Sequence, residues 1–266
     1  MRCTVTMRQL RPDFAPAVLD LVEQADGNTL MARAVLIGDA NGQAYVDDEY
    51  HPAACHVVHQ TGMSFLFGVP QDGEFTADLR DHLVGNRTGR NRDQWLQAFS
   101  PSWHDELGPW LSKGKASAHR RINYRLDPQQ FSAAPDVAGF DVVITPAEML
   151  PTLGDRVAPR DYWSHPERLT KMSAAWTALI NGTPAATAFA SAVAGDQWEI
   201  GIETVPRFRG RGLARLACSR LIERCLADGL EVLWSCREGN TGSQELAARL
   251  GFDAIAITPY YHFPAF

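Results

Sequence analysis

The segment around Pro206 constrains the fold of this 266-residue chain more than any other feature. Pro206 ends a strand-like run, because proline cannot donate a hydrogen bond to a β-ladder, and the glycine-containing turn Arg207–Gly212 follows it directly. From Leu213 to Leu226 apolar residues recur at helical spacing, and Gly229 is a suitable C-terminal cap. The pattern predicts a strand, a tight turn and an amphipathic helix in direct succession.

Such a junction favours the binding of an anion. Unpaired backbone N–H groups and the positive end of the helix dipole meet at the start of a helix. Gly210 and Gly212 allow the backbone to approach a phosphate without hindrance from a Cβ atom. Arg207, Arg209 and Arg211 add charge that complements a pyrophosphate, although some of them are equally suited to face solvent. Taken alone, the segment is also consistent with a basic turn before a surface helix.

Three antiparallel strands are predicted before this turn. Ala174–Leu179 and Ala185–Val193 read as strands, and the Asn181-Gly182 pair between them favours the left-handed conformations of a tight hairpin. A second turn at Gly195–Gln197 leads into the strand Trp198–Val205. The glycine-containing turn therefore follows the third strand of an antiparallel sheet.

The first half of the chain also has an α/β pattern. A helix is predicted at Pro12–Gln24, and three short strands follow at Ala44–Asp47, Ala54–His59 and Ser64–Phe67. A helix-rich stretch that contains Trp95, Trp103 and Trp110 comes next, and a final strand is predicted at Arg120–Leu126. Ser132–Asp136 is short, small and proline-containing, as linkers are. We therefore predict an N-terminal domain at 1–136 and a second domain at 137–266.

Composition excludes several classes of protein. The net charge of −6 provides no basic excess for nucleic acid, and no apolar run reaches the ~20 residues of a membrane span. Five cysteines without a C-x-x-C pair indicate a reducing compartment, so a cytoplasmic location is predicted. His56 and His59 would face opposite sides of a strand, and no metal site is predicted.

Two spaced motifs resemble the GNAT superfamily of N-acetyltransferases. Arg207–Gly212 matches the R/Q-x-x-G-x-G/A motif, and Asn240–Phe252 is similar to the N-x-x-A/S, helix, G-F ending, with the predicted strand Val232–Cys236 between them. The sequence at Ile202–Pro206 and at Trp234 is similar to that of a bacterial branch of this superfamily, whose members have an extra N-terminal α/β domain. The resemblance implies an α/β (α+β) fold whose mixed, mostly antiparallel sheet is flanked by helices, with a degenerate GNAT-like domain before it.

The resemblance also implies a site for acetyl-CoA as cosubstrate. In this fold the strand before the turn and the strand after the helix splay apart, and the pantetheine arm enters between them. The residues implied are Thr204, Val205, Arg207, Arg209, Gly210, Arg211, Gly212, Leu213, Ala214, Asn240 and Ser243. For Asn240, helix N-capping is an equally good interpretation.

Direct attack of an amine on the thioester requires a general base. Glu203 and Glu199 are the candidates, because residues four apart on a strand share a face, and Glu203 is favoured by its place beside the turn. Ala247 stands where many GNAT enzymes have a tyrosine acid. Tyr260 is the candidate replacement, with Tyr261, Ser235 and Cys236 as further alternatives and packing on the sheet as the other interpretation of both tyrosines.

The sequence thus predicts transfer of acetyl from acetyl-CoA to a primary amine of a small molecule. A non-enzymatic CoA-binding sensor or interaction module is one alternative, which Ala247 favours. An aminoacyl-tRNA-dependent transferase is another, against which the intact Arg207–Gly212 turn argues. The sequence leaves open the acceptor, the acyl chain length and whether the chain forms a homodimer.

Overall fold

The computed structural model describes residues 7–71, 73–85, 90–112, 116–135, 139–154 and 157–265 of the chain. The chain divides into two compact units, one made of Met1–Arg121 with Ile257–Phe266, and the other of Ile122–Ala256. Two strands, β6 (Ser117–Leu126) and β12 (Phe252–Phe263), therefore carry residues of both units.

The division of the chain does not fall at the expected linker. The predicted boundary between residues 136 and 137 lies outside the described residues. The residues just before it are bound to the second unit: the Ser132 N–H donates to the Leu250 carbonyl at 3.3 Å, and the Ala134 N–H donates to the Ser219 hydroxyl at 2.8 Å. Small residues are common in linkers, but here they let the backbone lie close to a helix.

The first unit contains seven strands in the described residues, counting the start of β6 and the end of β12. Its elements are β1 (Arg8–Gln9), α1 (Ala15–Glu23), α2 (Leu30–Leu36), β2 (Gly42–Val46), β3 (Ala54–His59), β4 (Met63–Gly68), α3 (Glu74–Val84), β5 (Gln94–Ala98) and α4 (Pro101–Leu111), with the end of β12. The strand order is β1-β2-β3-β4-β5-β12. Strands β1 to β4 are antiparallel, β4 and β5 are parallel, and β5 and β12 are antiparallel.

One prediction for the first unit is wrong. Trp95 lies on strand β5 and not in a helix, because β5 pairs along both of its edges, with β4 and with β12. Trp103 and Trp110 do lie on a helix, α4, and both are buried in the core. Four of the five residues of β5 are buried, and a strand that is buried on both faces lacks the alternation of apolar and polar residues by which a half-exposed strand is recognised.

The second unit also contains seven strands in the described residues, counting the end of β6 and the start of β12. Its elements are β7 (Phe140–Ile144), α5 (Glu167–Lys171), β8 (Ala175–Ile180), β9 (Thr183–Ala194), β10 (Gln197–Thr204), α6 (Leu213–Ala227), β11 (Glu231–Arg237) and α7 (Thr241–Leu250), with the end of β6. The strand order is β7-β8-β9-β10-β11-β6, and β7 to β10 are antiparallel while β10 and β11 are parallel. The predicted mixed, mostly antiparallel sheet flanked by helices is confirmed.

The predicted hairpin before β9 is also confirmed. Asn181 has φ 49° and Gly182 has φ 74°, so both central residues of the turn are left-handed, as the tight hairpin requires. Helix α6 packs against β8, β9 and β10. Its buried residues Leu213, Ala217 and Leu221 belong to one core with the alanine-rich strand β9, whose short side chains let the helix approach the sheet.

The two units share one order of elements. In each, four antiparallel strands are followed by a helix, a parallel strand and a second helix: β1 to β4, α3, β5 and α4 in the first, and β7 to β10, α6, β11 and α7 in the second. The sequence shows no internal repeat to inspection. None of the helices in the described part of the chain combines the length and the apolar character that a membrane span requires.

Candidate active site

Strands β10 and β11 diverge part-way along their length. Their parallel pairing ends at Glu199 opposite Leu233, although β10 continues to Thr204 and β11 continues to Arg237. Beyond Glu199, β10 remains paired with β9 on its other edge. The backbone groups of residues 200–204 that face β11 are therefore outside any ladder with that strand, and the gap can accept an extended chain as a substitute strand.

The turn after β10 leads to an uncapped helix. Gly210 has φ 77° and Gly212 has φ 80°, and a Cβ atom at either position would meet nothing within 4 Å. Gly212 is the N-cap of α6, and no side chain of the described residues caps this helix. Its first backbone hydrogen bond runs from the Leu216 N–H to the Gly212 carbonyl at 3.1 Å. The N–H groups of the first turn are therefore available to an anion such as a diphosphate.

The three arginines of the turn have different partners. The guanidinium groups of Arg207 and Arg211 lie over the ring of Phe208, at 4.7 and 5.7 Å from its centroid. Arg209 points back to the end of β10. Its Nη2 donates to Glu203 Oε1 at 3.1 Å, and its Nε donates to the Thr204 carbonyl at 3.2 Å. The Glu203 side chain is 16% exposed and that of Arg209 is 59% exposed.

Glu203 lies beside a row of buried hydroxyl groups. It is paired across the antiparallel ladder with Thr187 on β9. The Thr187 and Thr177 hydroxyls are 2.9 Å apart, as are those of Thr177 and Thr145. Glu203 and Thr187 also line a cavity of about 20 Å³ whose other walls are mainly apolar. This volume is large enough for a single water molecule, to which both polar groups could hydrogen-bond.

Glu199, the other predicted base, has a different environment. It is buried, and its Oε1 accepts a hydrogen bond from the Ser235 hydroxyl on β11. This contact joins Glu199, the last residue of β10 that is paired with β11, to a residue of β11 that lies beyond the paired Leu233. Glu199 therefore stabilises the start of the divergence, whereas Glu203 lies beyond it and is partly exposed.

Two predicted cofactor residues take part in helix capping and packing. Asn240 is the N-cap of α7, where its Oδ1 accepts from the Ser243 N–H at 3.3 Å. The Ser243 hydroxyl accepts from the Trp234 Nε1–H at 3.0 Å. For Asn240, the capping interpretation is confirmed. Contact of either residue with the cofactor stays a prediction.

The candidates for a general acid belong to different units, Tyr260 and Tyr261 to the first and Ser235 and Cys236 to the second. Ala247 is fully buried on α7. Tyr260 lies in the first unit, where its ring packs 5.1 Å from that of Trp95 and the Arg121 guanidinium lies 5.3 Å from its centroid. These contacts support the packing interpretation of Tyr260, and its catalytic role stays a prediction.

Tyr124, on the part of β6 that belongs to the second unit, is a further polar residue that no sequence motif indicates. Burial and the neighbouring Cys236, with which its hydroxyl is hydrogen-bonded, raise the pKa of Tyr124 to about 12. The phenol therefore keeps its proton at neutral pH. Nothing in the local sequence distinguishes Tyr124 from other strand tyrosines, because only the register of β6 beside β11 brings it to Cys236.

Comparison with known proteins identifies the family. A model of the GNAT acetyltransferase family matches residues 20–261. The chain belongs to the GNAT acetyltransferase family. It is similar to the uncharacterized N-acetyltransferase YdfB of Bacillus subtilis, with 25% identity over 228 residues, which cover 83% of this chain and 85% of that protein.

Solved structures show the same GNAT fold. A GCN5-related N-acetyltransferase-like protein from Streptococcus suis has a TM-score of 0.71 and 20% identity, covering 94% of this chain and 98% of that one. A tandem GNAT protein from the clavulanic acid biosynthesis pathway has a TM-score of 0.62 and 15% identity, covering 97% and 98%. At these identities the likeness shows the fold alone.

Membership of the GNAT family implies acyl transfer with acetyl-CoA as cosubstrate. The family match extends over most of both compact units. The shared order of strands and helices supports the prediction that the first unit is a degenerate GNAT-like domain.

Proposed function

We propose that this GNAT protein transfers acetyl from acetyl-CoA to a primary amine of a small molecule by direct attack, with Glu203 as general base. The observation that carries the proposal is the position of Glu203. It is a partly exposed carboxylate on the strand that borders the gap, four residues before the glycine-containing turn begins. A base must lie within hydrogen-bond reach of the proton that it removes, directly or through one water.

The residues present fit coenzyme A. Thr204 would offer backbone groups at the border of the gap, and the turn from Arg207 to Ala214 would hold the pyrophosphate with N–H groups and arginine charge. The predicted backbone contact of Val205 is not supported, because its N–H donates to the Ala185 carbonyl at 2.9 Å and its carbonyl accepts from the Phe208 N–H at 2.8 Å. Gly210 and Gly212 fit because both are left-handed and have open space where a Cβ atom would stand. When bound, acetyl-CoA supplies an acetyl thioester, whose carbonyl carbon is the atom that the amine attacks.

Glu203 would act on the amine. The amine nitrogen forms a C–N bond to the acetyl carbon while the C–S bond breaks, and the amine proton passes to Glu203, either directly or through a water in the adjacent cavity. Thr187 would hold that water. A thiol has an ordinary pKa of about 8.5, so the thiolate can leave near neutral pH without a tyrosine at position 247.

Binding and turnover test the proposal in two steps. Acetyl-CoA at millimolar concentration should raise the melting temperature of the protein, because a ligand that binds only the folded state stabilises it. Thiol release is then measured across a panel of small primary amines. Absence of any stabilisation by acetyl-CoA would refute the proposal at its first step.

Replacement of Glu203 tests its role directly. Glu203→Gln keeps the shape of the side chain but cannot accept the proton, so kcat should fall by about 10²-fold or more. Glu223→Gln is the matched control, because it makes the same chemical change in another arginine-paired glutamate of the second unit. A rate for Glu203→Gln within twofold of the control would refute the assignment.

A non-enzymatic CoA-binding sensor is the second candidate function. It is favoured by Ala247, which is buried where many GNAT enzymes have the tyrosine acid. Stabilisation by acetyl-CoA with no thiol release above the uncatalysed rate, for any amine of the panel, would support the sensor over the enzyme.

A further inference from the structure

We infer that Arg209 couples occupancy of the cofactor site to release of the Glu203 carboxylate. Without ligand, Arg209 is paired with Glu203; the phosphates of coenzyme A draw the guanidinium away and leave the carboxylate free for the amine. Arg209 is thus a positioning residue that acts through Glu203. The inference rests on the proposed function, because it assumes that coenzyme A binds at the turn.

The geometry singles out Arg209 among the arginines of the turn. Arg207 and Arg211 lie on opposite sides of Arg209 in sequence, and both guanidinium groups lie over the Phe208 ring. Arg209 alone of these three contacts a carboxylate. Its extended backbone, with φ −63° and ψ 157°, lets its side chain reach back over the end of β10, where it also bonds the Thr204 carbonyl.

The pairing occupies two groups that the reaction needs. Glu203 Oε1 accepts from Arg209 Nη2, so this oxygen is engaged by a donor that an amine must displace. The Thr204 carbonyl, which accepts from Arg209 Nε, belongs to the segment bordering the gap. The same guanidinium therefore restrains both the base and the end of the strand.

Phosphate can outcompete the carboxylate for Arg209. A guanidinium forms bidentate hydrogen bonds with phosphate as readily as with carboxylate, and coenzyme A carries more than one negative charge. The Arg209 side chain is more than half exposed, and exposed ion pairs contribute little. Breaking the pair therefore lowers the affinity for coenzyme A by only about 1.5- to 5-fold.

Thermodynamic linkage makes this coupling measurable without turnover. If binding of coenzyme A separates the pair, then prior removal of the pair must favour binding by the same factor. Glu203→Gln should therefore tighten the binding of coenzyme A, measured by isothermal titration calorimetry, by about 1.5- to 5-fold. In an Arg209→Ala background the same change should have no such effect, because the pair is already absent.

A charge control separates pairing from simple electrostatics. Glu223→Gln removes the same charge from the second unit and breaks the Arg220–Glu223 pair, which lies along α6 and away from the turn in sequence. We expect it to change the Kd by less than 1.5-fold. Melting temperatures of all variants without ligand confirm that each is folded before titration.

The outcomes are distinct. A tightening by Glu203→Gln that exceeds that of Glu223→Gln and disappears in the Arg209→Ala background supports the coupling. An effect equal to that of Glu223→Gln, or one that persists in the Arg209→Ala background, overturns it while leaving the proposed function intact. Failure of the wild-type protein to bind coenzyme A overturns the proposed function, and the coupling with it.

Discussion

Single residues of the same type have distinct partners in this protein. The arginines at 207, 209 and 211 are equivalent in the sequence, each separated from the next by one residue. Two of them lie over an aromatic ring and one pairs with a carboxylate. The sequence predicted charge at the turn, but it could not assign a partner to each arginine, because the partner depends on how the turn folds back over β10.

His56 is a second residue whose surroundings could not be predicted from the sequence. It is fully buried on β3, where its ring stacks on that of Tyr45 with centroids 6.3 Å apart and meets that of His82 edge-on with centroids 5.8 Å apart. Neither ring nitrogen has a hydrogen-bond partner in the part of the chain that the structure describes. Burial, with the positive potential of His82 and Arg90, keeps the pKa of His56 well below its ordinary value of 6.5.

The lowered pKa values of His56 and His82 predict that the protein loses stability in acid. Burial also lowers the pKa of His82 to about 4. Both groups have a lower pKa in the folded state, so between pH 6.5 and about 4 the unfolded chain takes up protons that the folded chain does not. The free energy of unfolding should fall as the pH drops through this window and be insensitive to these groups above it.

Replacement of His56 by leucine tests this account. His56→Leu removes one of the titrating groups without breaking a hydrogen bond, and it replaces a buried polar ring by an apolar side chain. We expect the free energy of unfolding at pH 7 to rise by about 1 kcal/mol and its fall toward pH 4 to become shallower. Urea titrations at several pH values measure both. A loss of more than 1 kcal/mol at pH 7 would contradict the prediction.

Corresponding elements of the two units differ at the sites where a cofactor would bind. Helix α6 begins at a glycine turn with three arginines before it, whereas α3 begins after Gly73 with Glu74 in its first turn. A carboxylate in the first turn already interacts with the helix dipole and repels an anion. The difference accords with the expectation that a cofactor binds in the second unit.

The two ends of α6 allow a controlled test of the glycine turn. Gly212 and Gly229 have φ 80° and 72°, and a Cβ atom at either would meet nothing within 4 Å. Alanine at either position should therefore cost a similar amount of stability, about 1 kcal/mol, for its left-handed backbone. Gly212→Ala alone should also weaken coenzyme A binding, by about tenfold or more, because its Cβ would stand where the proposed function places a phosphate. Equal affinities of the two variants in calorimetry would contradict this prediction.

The chain as a whole does not divide at one point. Ile122, Tyr124 and Leu126 belong to the core of the second unit, although they precede the predicted boundary by more than ten residues. The segment Ile257–Phe266 belongs to the first unit, although it is the C-terminal end of the sequence. Each unit therefore depends on residues that a cut in the linker region would remove.

A fragment of residues 137–266 tests this dependence. It contains the whole GNAT motif but lacks the buried Ile122, Tyr124 and Leu126 of its own unit. Loss of a large core side chain lowers the free energy of unfolding by about 2–5 kcal/mol. The loss of three therefore approaches or exceeds the whole free energy of unfolding of a typical domain, about 5–15 kcal/mol. The fragment should therefore lack a cooperative thermal transition, in contrast to the full chain. A sharp transition near that of the full chain would contradict the prediction.

Local sequence determined the features that depend on neighbouring residues. The Asn181-Gly182 hairpin, the uncapped start of α6 at Gly212 and the family motifs follow from backbone preferences and helical periodicity within short windows. Only the tertiary structure shows to which unit the parts of β6 and β12 belong. It also shows that Arg209 pairs with Glu203 and that Tyr124 contacts Cys236. These contacts depend on strand register and on how loops return to the sheet, and neither is specified by the residues adjacent in sequence.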